Sequence, residues 1–277
     1  MNVLVTGGAG YIGSHAVQRL AKDGHNVIAL DNLHRGHRQA VLPPAELIVG
    51  EAGDVELVES VLRERNIDCV MHFAALAYVG ESVEEPLWYY RNNTIQTINL
   101  IHAIDRAGVQ KLVFSSTCAT YGEPAEDQLP IKETCPQNPI SPYGRSKLMI
   151  EHVLHDYARS CELKGRPFAF ATPRYFNVAG ADRSGVLGED HNPETHLVPV
   201  VLQAALGLRD GIKIFGTDYP TPDGTCIRDY VHVEDLVDAH VLLMNALQPG
   251  DRRAYNLGIG RGYSVREIIE SARRVSG

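Results

Sequence analysis

Short runs of apolar residues alternate with longer amphipathic stretches along the chain up to residue 173. The short runs predict strands buried on both faces of a parallel sheet, and the amphipathic stretches predict helices that cover it. The predicted strands are residues 2–5, 25–31, 46–49, 68–73, 111–115 and 168–172. The predicted helices are residues 55–65, 86–107 and 143–160. This alternation predicts an α/β fold with a doubly wound parallel sheet.

A glycine-rich turn, TGGAGYIG at residues 6–13, follows the first predicted strand and opens a helix. Gly7 permits a tight turn, Gly10 lets the backbone approach a phosphate, and Gly13 lets the helix lie close to the strand. Free amide groups and the positive end of the helix dipole then face an anion. Such spacings also occur by chance in loops, so the prediction of a dinucleotide site depends on the flanking strand and helix.

An acidic residue, Asp31, ends the second predicted strand. It lies 18 residues after Gly13, close to the roughly 20 expected for the carboxylate that accepts hydrogen bonds from an adenosine ribose. A carboxylate there would repel a 2′-phosphate, so the sequence favours NAD over NADP as the cofactor. The alternative is that Asp31 only ends a strand in a turn.

The pattern changes after residue 173, where turn-forming residues crowd segments 180–193 and 216–224. This change predicts two parts. Residues 1–173 form an NAD-binding domain of the Rossmann type, and residues 174–277 form a smaller lobe that closes over a ligand. We expect some segments of the second part to return to the first domain.

Composition limits the partners. The chain has 26 Lys and Arg against 34 Asp and Glu, a net charge of −8, which gives no electrostatic footprint for nucleic acid or an anionic membrane. The sequence starts directly in a strand, and no apolar stretch is long enough to span a bilayer. We therefore expect a cytoplasmic protein whose partners are small molecules or another copy of itself.

Cysteine and histidine spacing predicts no metal site. The five cysteines are unevenly spaced and contain no Cys-x-x-Cys pair, which indicates reduced thiols rather than disulfides or zinc ligands. His191 and His196 bracket a possible loop, but their spacing and their lack of cysteine partners argue against a bound metal.

Candidate catalytic residues lie at the carboxyl edge of the predicted sheet, where ligands bind in such folds. Tyr143 and Lys147 are four residues apart on a predicted helix and share a face. An ammonium beside a phenol stabilises the phenolate; lowering a phenol pKa from about 10 to near neutrality takes roughly 4 kcal/mol. Tyr143 could then be a general base toward a substrate hydroxyl, with Thr117 holding the same oxygen. The alternative is an amphipathic helix that simply starts after Pro142.

Nine motifs in order make the chain similar to the extended short-chain dehydrogenase/reductases and, within them, to the UDP-sugar 4-epimerases. The resemblance covers essentially the whole chain. The motifs are TGGAGYIGSH (6–15), DNL (31–33), HFAA and YVGES (72–82), YYRNN (89–93), SSTCATYGEP (115–124), SPYGRSKLM (141–149), RYFNVAGA (174–181), HLVP (196–199) and GTDYPTPDGTCIRDYVHVEDL (216–236).

This resemblance implies an isomerase that interconverts UDP-glucose and UDP-galactose. Tyr143 removes the proton of the 4-hydroxyl while hydride passes to tightly held NAD, which gives a 4-keto sugar. The sugar turns about its diphosphate, and hydride returns to the opposite face. Specific binding must then come from the UDP, with the pyranose held loosely.

The resemblance also assigns roles to individual residues of this sequence. It places Asn177 and Arg228 at the diphosphate, Phe215 at the uracil, and the backbone of His196 and Leu197 at the nucleotide. Arg228 has a second interpretation, an ion pair at the surface with Asp229. Further residues implied at the cofactor or in the pocket between sugar and nicotinamide are Tyr11, Ile12, Asn32, Asp54, Val55, Phe73, Ala74, Asn93, Tyr175 and Phe176.

Local departures bear on the reaction and the substrate. Related nucleotide-sugar dehydratases carry an acidic pair after the catalytic threonine, whereas this chain has Cys118 and Ala119; this makes elimination improbable. A lysine common in the best-known epimerases is Ala77 here, followed by Tyr78. Similar motif versions occur in UDP-arabinose 4-epimerases, so UDP-xylose and UDP-arabinose remain alternative substrates.

The family pattern continues past residue 277 with another arginine and aspartate for UDP and with the residue that governs acceptance of N-acetylated sugars. Either the sequence is a piece of a longer chain or these contacts are missing, so the sequence leaves the preference for N-acetylated sugars open.

Two other functions are compatible with the fold: an NAD-binding sensor without turnover, and a net oxidoreductase acting on a UDP-sugar.

Finally, apolar residues on the helices predicted at 86–107 and 143–160 exceed what one sheet can cover. Together with the resemblance, they predict a homodimer through a helix bundle; the alternative is that they pack on their own sheet. These apolar residues are Leu87, Ile95, Ile98, Leu148 and Leu154.

Overall fold

A computed structural model describes residues 1–276 of the chain, which contain eleven strands and nine α-helices. The strands are β1 (Asn2–Thr6), β2 (Asn26–Asp31), β3 (Glu46–Val49), β4 (Cys69–His72), β5 (Lys111–Phe114), β6 (Ser116–Thr117), β7 (Ala169–Tyr175), β8 (Asn177–Ala179), β9 (Ile227–His232), β10 (Arg252–Leu257) and β11 (Gly262–Ser264). The helices are α1 (Tyr11–Lys22), α2 (Val55–Glu64), α3 (Val79–Glu84), α4 (Pro86–Tyr89), α5 (Gln96–Ala107), α6 (Pro142–Leu163), α7 (Leu197–Ala205), α8 (Val233–Ala246) and α9 (Val265–Ser276).

Eight strands form one parallel sheet in the order β10-β7-β5-β4-β1-β2-β3, with β6 paired to β7. The predicted doubly wound α/β fold is confirmed, and the six predicted strands all form within a few residues of their expected ends. The strand order reverses between β1 and β4. A crevice at the carboxyl ends of these two strands is where such sheets bind a dinucleotide.

The strands alternate their side chains between two apolar layers, one on each face of the main sheet. On one face, Leu4 and Leu112 pack with residues from α2, α5 and α6. On the other face, Val3 and Val113 pack with residues from α1 and α8. Covering both faces explains why these strands read as unbroken apolar runs.

The second part of the chain builds a smaller sheet and then rejoins the first. Strand β9 pairs parallel with β8 and antiparallel with β11. Two elements that lie between β9 and β11 in the sequence join the first part: α8 packs on α1, and β10 extends the main sheet beside β7. The division at residues 173 and 174 stays a prediction, with α8 and β10 as segments of the second part that lie on the main sheet.

The helix predicted at residues 86–107 is wrong in its detail. It is divided into α4, a π-helical turn at Tyr90–Ile95, and α5. The helix predicted from residue 143 begins one residue earlier, where Ser141 accepts a hydrogen bond from the Gly144 amide and Pro142 occupies the first turn. Ser and Pro favour these two positions because the first amides of a helix lack partners within it.

The apolar residues expected at a dimer interface differ in their exposure. Leu87, Ile95 and Ile98 are exposed, Leu148 is half-buried, and Leu154 is fully buried in the core. The expectation that Leu154 exceeds what the sheet can cover is therefore wrong. Within residues 1–276, no helix is long and apolar enough to cross a membrane.

Candidate active site

The glycine-rich turn forms a tight cradle between β1 and α1. Gly7 has a φ of +71°, and a Cβ atom there would lie 2.5 Å from the Ala74 amide nitrogen. A Cβ at Gly13 would overlap the Gly7 carbonyl oxygen. Gly10 caps α1 without a side-chain hydrogen bond, so the first amides of the helix remain available to an anion. This geometry fits a pyrophosphate, as the sequence predicted.

Asp31 lies at the carboxyl end of β2, on the wall of the same crevice. Its carboxylate is buried and accepts hydrogen bonds from the amides of Ala9, at 3.0 Å, and Leu33, at 2.8 Å. Asn32 donates to Glu51 beside it. Asp31 therefore ties the glycine-rich turn to the end of β2 and presents negative charge where the ribose of a dinucleotide would bind.

One cleft gathers twelve of the residues that the sequence assigned to the cofactor or to catalysis. Those that line it are Gly7, Gly10, Tyr11, Ile12, Gly13, Asp31, Asn32, Phe73, Ala74, Tyr143, Lys147 and Tyr175. The glycine-rich turn, Asp31 and the pair Tyr143 and Lys147 thus line one cleft at the carboxyl edge of the sheet.

The other three residues assigned to the cofactor lie outside this lining. Asp54 is exposed and caps α2 by accepting a hydrogen bond from the Leu57 amide, and Val55 is the first residue of that helix. Asn93 is buried, and its side chain both accepts from the amide of Leu76 and donates to its carbonyl oxygen. Asn93 therefore positions the wall of the cleft at Leu76.

Tyr143 lies in the first turn of α6 and is 8 % exposed. A Cβ at Gly144 would lie 2.5 Å from the Ala119 carbonyl oxygen, so this glycine allows α6 to approach the turn after β6 closely. Burial raises the pKa of the Tyr143 phenol above its usual range, the neighbouring Tyr175 raises it further, and a hydrogen bond with the Thr117 hydroxyl lowers it. The Thr117 hydroxyl is thus close enough to Tyr143 to act on its pKa, and the joint role of the two residues stays a prediction.

Lys147 lies one turn further along α6 and is 4 % exposed. Its ammonium nitrogen donates a hydrogen bond of 2.8 Å to the Ser115 carbonyl oxygen and lies 4.9 Å from the Phe114 ring centre. Burial lowers the pKa of Lys147 to about 7, while Glu151 acts in the opposite direction. The lysine is thus held beside the catalytic strand in a site that disfavours its charge.

The residues expected to bind the nucleotide lie around β8, β9 and α7. Asn177 donates a hydrogen bond of 3.2 Å to the Asp229 carbonyl oxygen, and Phe176 packs beside Gly258. His196 is half-buried and directly precedes Leu197, the first residue of α7.

Arg228 and Phe215 are both exposed, Phe215 to 84 %. The Asp229 carboxylate accepts hydrogen bonds from the amides of Ile259 and Gly260. Arg228 is close enough to lower the pKa of Cys118, which burial raises to about 11. Its charge therefore acts on the turn that follows Thr117.

Sequence reasoning missed several residues that shape the cleft. Ser115 hydrogen-bonds to the Tyr175 hydroxyl, and its carbonyl oxygen holds Lys147. His72 lines the cleft and bridges the hydroxyls of Thr6 and Thr97. A polar residue at the end of an otherwise apolar strand was the available sign for both Ser115 and His72.

A buried ion pair beneath the catalytic helix was also missed. Arg174, at the end of β7, donates two hydrogen bonds to the Glu151 carboxylate and one to the Tyr121 hydroxyl. The motif containing Arg174 was recognised by resemblance only, since sequence spacing does not reveal which carboxylate a buried arginine meets.

Comparison with known families agrees with this geometry. Residues 3–258 match the model described as the NAD dependent epimerase/dehydratase family. The chain belongs to this family. The resemblance stated from the motifs is therefore confirmed, and NAD is the cofactor that the cradle and Asp31 fit.

Relatives within the NAD-dependent epimerase/dehydratase family match the chain over its full length. A protein of Lacticaseibacillus casei named UDP-glucose 4-epimerase is 50% identical over 278 residues, which cover 100% of this chain and 82% of the relative. A protein of Oryza sativa subsp. japonica named probable UDP-arabinose 4-epimerase 3 is 48% identical over 290 residues, covering 100% of this chain and 70% of the relative. The crystal structure of UDP-glucose 4-epimerase from Bifidobacterium longum in complex with NAD⁺ and UDP superposes with a TM-score of 0.94 at 39% identity, covering 100% of this chain and 84% of that one.

Proposed function

We propose that the protein is a UDP-glucose 4-epimerase, which interconverts UDP-glucose and UDP-galactose through a 4-keto intermediate with NAD held tightly throughout. The observation that carries this proposal is the sharing of one cleft by the glycine cradle, Asp31, Tyr143 and Lys147. About 50% identity to proteins named UDP-glucose 4-epimerase supports it.

The side chains of this cleft can manage the proton of the reaction. Tyr143 accepts the proton of the sugar 4-hydroxyl and returns it when the hydroxyl is restored. Thr117, whose hydroxyl acts to lower the pKa of the Tyr143 phenol, holds the same substrate oxygen. The Lys147 ammonium favours the phenolate by charge. NAD, when bound, supplies the acceptor and donor of hydride.

Residues of the second part of the chain would hold the nucleotide. In this proposal Asn177 and Arg228 bind the diphosphate, Phe215 covers the uracil, and the backbone at His196 and Leu197 contacts the same region. The exposure of Arg228 and Phe215 supports these roles, because a cation and an aromatic ring facing solvent are free to meet a ligand. Asp54, Val55 and Asn93 complete the proposed cofactor site from the adjoining wall.

The pentose substrates remain the second candidate. The relative named for UDP-arabinose is 48% identical to the chain, almost as similar as the relatives named for UDP-glucose. A 4-epimerase acting on UDP-xylose and UDP-arabinose would use the same Tyr143 chemistry, because both sugar classes carry the reacting hydroxyl on carbon 4 and differ only in the hydroxymethyl group on carbon 5.

Turnover of a substrate panel by Tyr143→Phe and the wild-type protein tests the proposal. We expect the wild type to convert UDP-galactose to UDP-glucose in a coupled assay. Tyr143→Phe should lower kcat by roughly 10²- to 10⁴-fold, the usual contribution of a positioned general base, while NAD stays bound. The matched control is Tyr157→Phe on the same helix, whose hydroxyl donates to Asp105 outside the cleft, and it should keep wild-type turnover.

The outcomes separate the remaining functions. Equal inactivity of wild type and Tyr143→Phe would indicate an NAD-binding sensor. Bulk NADH accumulating in step with substrate loss would indicate a net oxidoreductase. Comparable rates on UDP-galactose and UDP-arabinose would extend the substrate class to pentoses.

We further propose that the protein acts as a homodimer in the cytoplasm. Ile95 and Ile98 are 53 % and 41 % exposed and share a helical face, and Met149 on α6 is 45 % exposed. Packing these side chains against a second copy would remove them from water. The five cysteines are free thiols, which suits a reducing compartment. Sedimentation at micromolar concentration should give a dimer; a single monomer peak would contradict it.

A further inference from the structure

The loop between β8 and α7 brings two glutamates and two histidines to one point. Glu189, His191, Glu194 and His196 each offer one donor atom, and these four atoms lie within 4.8 Å of one another. His191 also lines the cofactor cleft, so the cluster adjoins the active site but shares none of its catalytic residues. The sequence analysis argued against a metal at this loop from the spacing of His191 and His196 and did not consider the two glutamates.

The distances within the cluster resemble the edges of a tetrahedral coordination site. Ligands placed about 2.0–2.2 Å from a zinc ion lie about 3.3–3.6 Å from one another. His191 Nδ1 lies 3.3 Å from Glu189 Oε1 and 3.7 Å from Glu194 Oε2. His196 Nδ1 lies 3.3 Å from Glu194 Oε1 and 2.7 Å from Glu189 Oε1. Two of the four distances match such edges and the 3.7 Å distance is slightly longer. Small side-chain rotations would open the 2.7 Å distance and bring one oxygen of Glu194 to both histidines.

The four donors also have their orientation and environment fixed. The side chains of Glu189 and Glu194 are 6 % and 4 % exposed. Glu194 Oε1 accepts hydrogen bonds from the amides of Thr195 and His196, which hold the carboxylate in place. The Nδ1 atoms of both histidines are buried and have no hydrogen-bond partner of good geometry among the described residues. Two buried nitrogens therefore lie within ion-pair distance of two buried carboxylates.

The local charges call for a cation. Within the described part of the chain, the only ion-pair partners of Glu189 and Glu194 are the two histidines. The nearby Arg35 instead pairs with Glu81. Burying two carboxylates is costly unless positive charge compensates them.

We propose that Glu189, His191, Glu194 and His196 bind one divalent transition metal ion of the zinc class. Two imidazole nitrogens with two carboxylate oxygens suit Zn²⁺, whereas Mg²⁺ and Ca²⁺ prefer oxygen ligands alone. Four protein ligands close the coordination sphere, so the ion is structural. It ties the loop after β8 to the start of α7, where His196 and Leu197 lie.

Metal retention by the NAD-loaded protein tests this site without reference to catalysis. The protein is stripped with a chelator, incubated with Zn²⁺ or Co²⁺, gel-filtered and analysed by elemental mass spectrometry. We expect about one ion per chain, and the Co²⁺ form should show the strong visible bands of a four-coordinate site. His191→Asn and Glu194→Gln should each weaken Zn²⁺ binding roughly 10–100-fold, the scale set by disturbing a metal site.

His152→Asn, a change at an exposed histidine on α6, is the matched control and should keep wild-type binding. The proposal is overturned if stripped wild type retains less than about a tenth of an ion per chain, which would leave a protonated histidine–glutamate network. It is also overturned if both variants retain Zn²⁺ as wild type does. If the variants fail to fold, the Co²⁺ spectrum of the wild type decides alone, because six-coordinate Co²⁺ absorbs weakly.

Discussion

Burial sets the protonation of individual groups in the cleft. It lowers the pKa of Lys147 to about 7 and raises that of Tyr175 to about 12. It also raises the pKa of Tyr143 beyond its usual range. Each shift favours the uncharged form, because the charged form loses its hydration. A phenolate at Tyr143 therefore depends on positive charge brought close to the phenol.

Asp31 should control the choice between NAD and NADP. Its carboxylate would repel a 2′-phosphate, so Asp31→Asn should lower the preference for NAD by at least about tenfold, or 1.4 kcal/mol. The amides of Ala9 and Leu33 donate to different oxygens of Asp31, so the single oxygen of asparagine keeps one of these two hydrogen bonds. The measurement is calorimetric titration of cofactor-stripped protein with each dinucleotide.

The control for this titration is Asp68→Asn, which changes a carboxylate that accepts from the Asn2 amide outside the cleft. It should leave the preference unchanged. If Asp31→Asn keeps the wild-type preference for NAD over NADP, the Asp31 carboxylate only holds the amides of Ala9 and Leu33 and does not select the cofactor.

Residues in local motifs were predictable, and residues assembled by loops were not. The strand, turn and helix of each motif follow one another directly in sequence. This order allowed us to predict Gly7, Gly13, Asp31, and the pair Tyr143 and Lys147 as site residues. The four side chains at 189–196 come together only through the path of an irregular loop, for which apolar periodicity gives no information.

At the scale of elements, α6 joins the catalytic end of the sheet to its far edge. Its first turns carry Tyr143 and Lys147, and its next turn carries Glu151, which pairs with Arg174 on β7. Arg174 also donates to Tyr121, which donates in turn to Asn256 on β10. One buried polar network thus connects α6, β7 and β10.

Breaking this network at one partner should be strongly destabilising. Glu151→Gln leaves the Arg174 guanidinium buried without its counter-charge, which typically costs about 3–5 kcal/mol in the free energy of unfolding. Urea denaturation followed by circular dichroism measures the change. Glu46→Gln, which removes the exposed pair with Arg65, should cost less than about 1 kcal/mol. Equal losses in the two variants would contradict the role given to the buried pair.

The element boundaries show where sequence patterns lose information. The strand at 46–49 was predicted to the residue, since an apolar run between turn residues has clear ends. The π-helical turn at Tyr90–Ile95 was not predicted, because such turns are rare and occur as single turns within longer helices.

For the molecule as a whole, two neutral histidines in the interior make stability sensitive to acid. Burial lowers the pKa of His72 to about 3 and that of His240 to about 4. His72 is enclosed by hydroxyls, and His240 packs against the rings of Phe73 and Tyr175. Both histidines thus connect the core to the floor of the cleft.

Stability should fall as pH drops from about 6.5 toward 4. In that pH window both histidines are protonated in the unfolded chain but neutral in the folded chain, so acid favours unfolding. For His240 the loss between pH 7.5 and 5 is about 2 kcal/mol. His240→Gln should remove that part of the pH dependence in urea titrations at the two pH values. His102→Asn, at an exposed histidine on α5, should retain it, and an unchanged pH dependence in His240→Gln would contradict the assignment.

Six of the eight strands of the main sheet were predicted from the chain, whereas β6, β10 and the smaller sheet were not. Regular alternation of strands and helices specifies a parallel sheet, because each crossover helix returns the chain to the edge of the sheet where the previous strand began. Strands β8 and β11 have three residues each, and β9 reads Ile-Arg-Asp-Tyr-Val-His with both faces partly exposed. Such short, mixed segments match no periodic template.

Ala179 on β8 pairs with His232 on β9, so the two ends of the segment 180–231 are held next to each other. With its ends clamped as neighbours, this segment can grow or shrink at a cost of only about 0.6 kcal/mol for each doubling of its length. Substrate specificity can therefore diverge during evolution through changes in the length and sequence of this segment, while the pairing of β8 with β9 keeps its register.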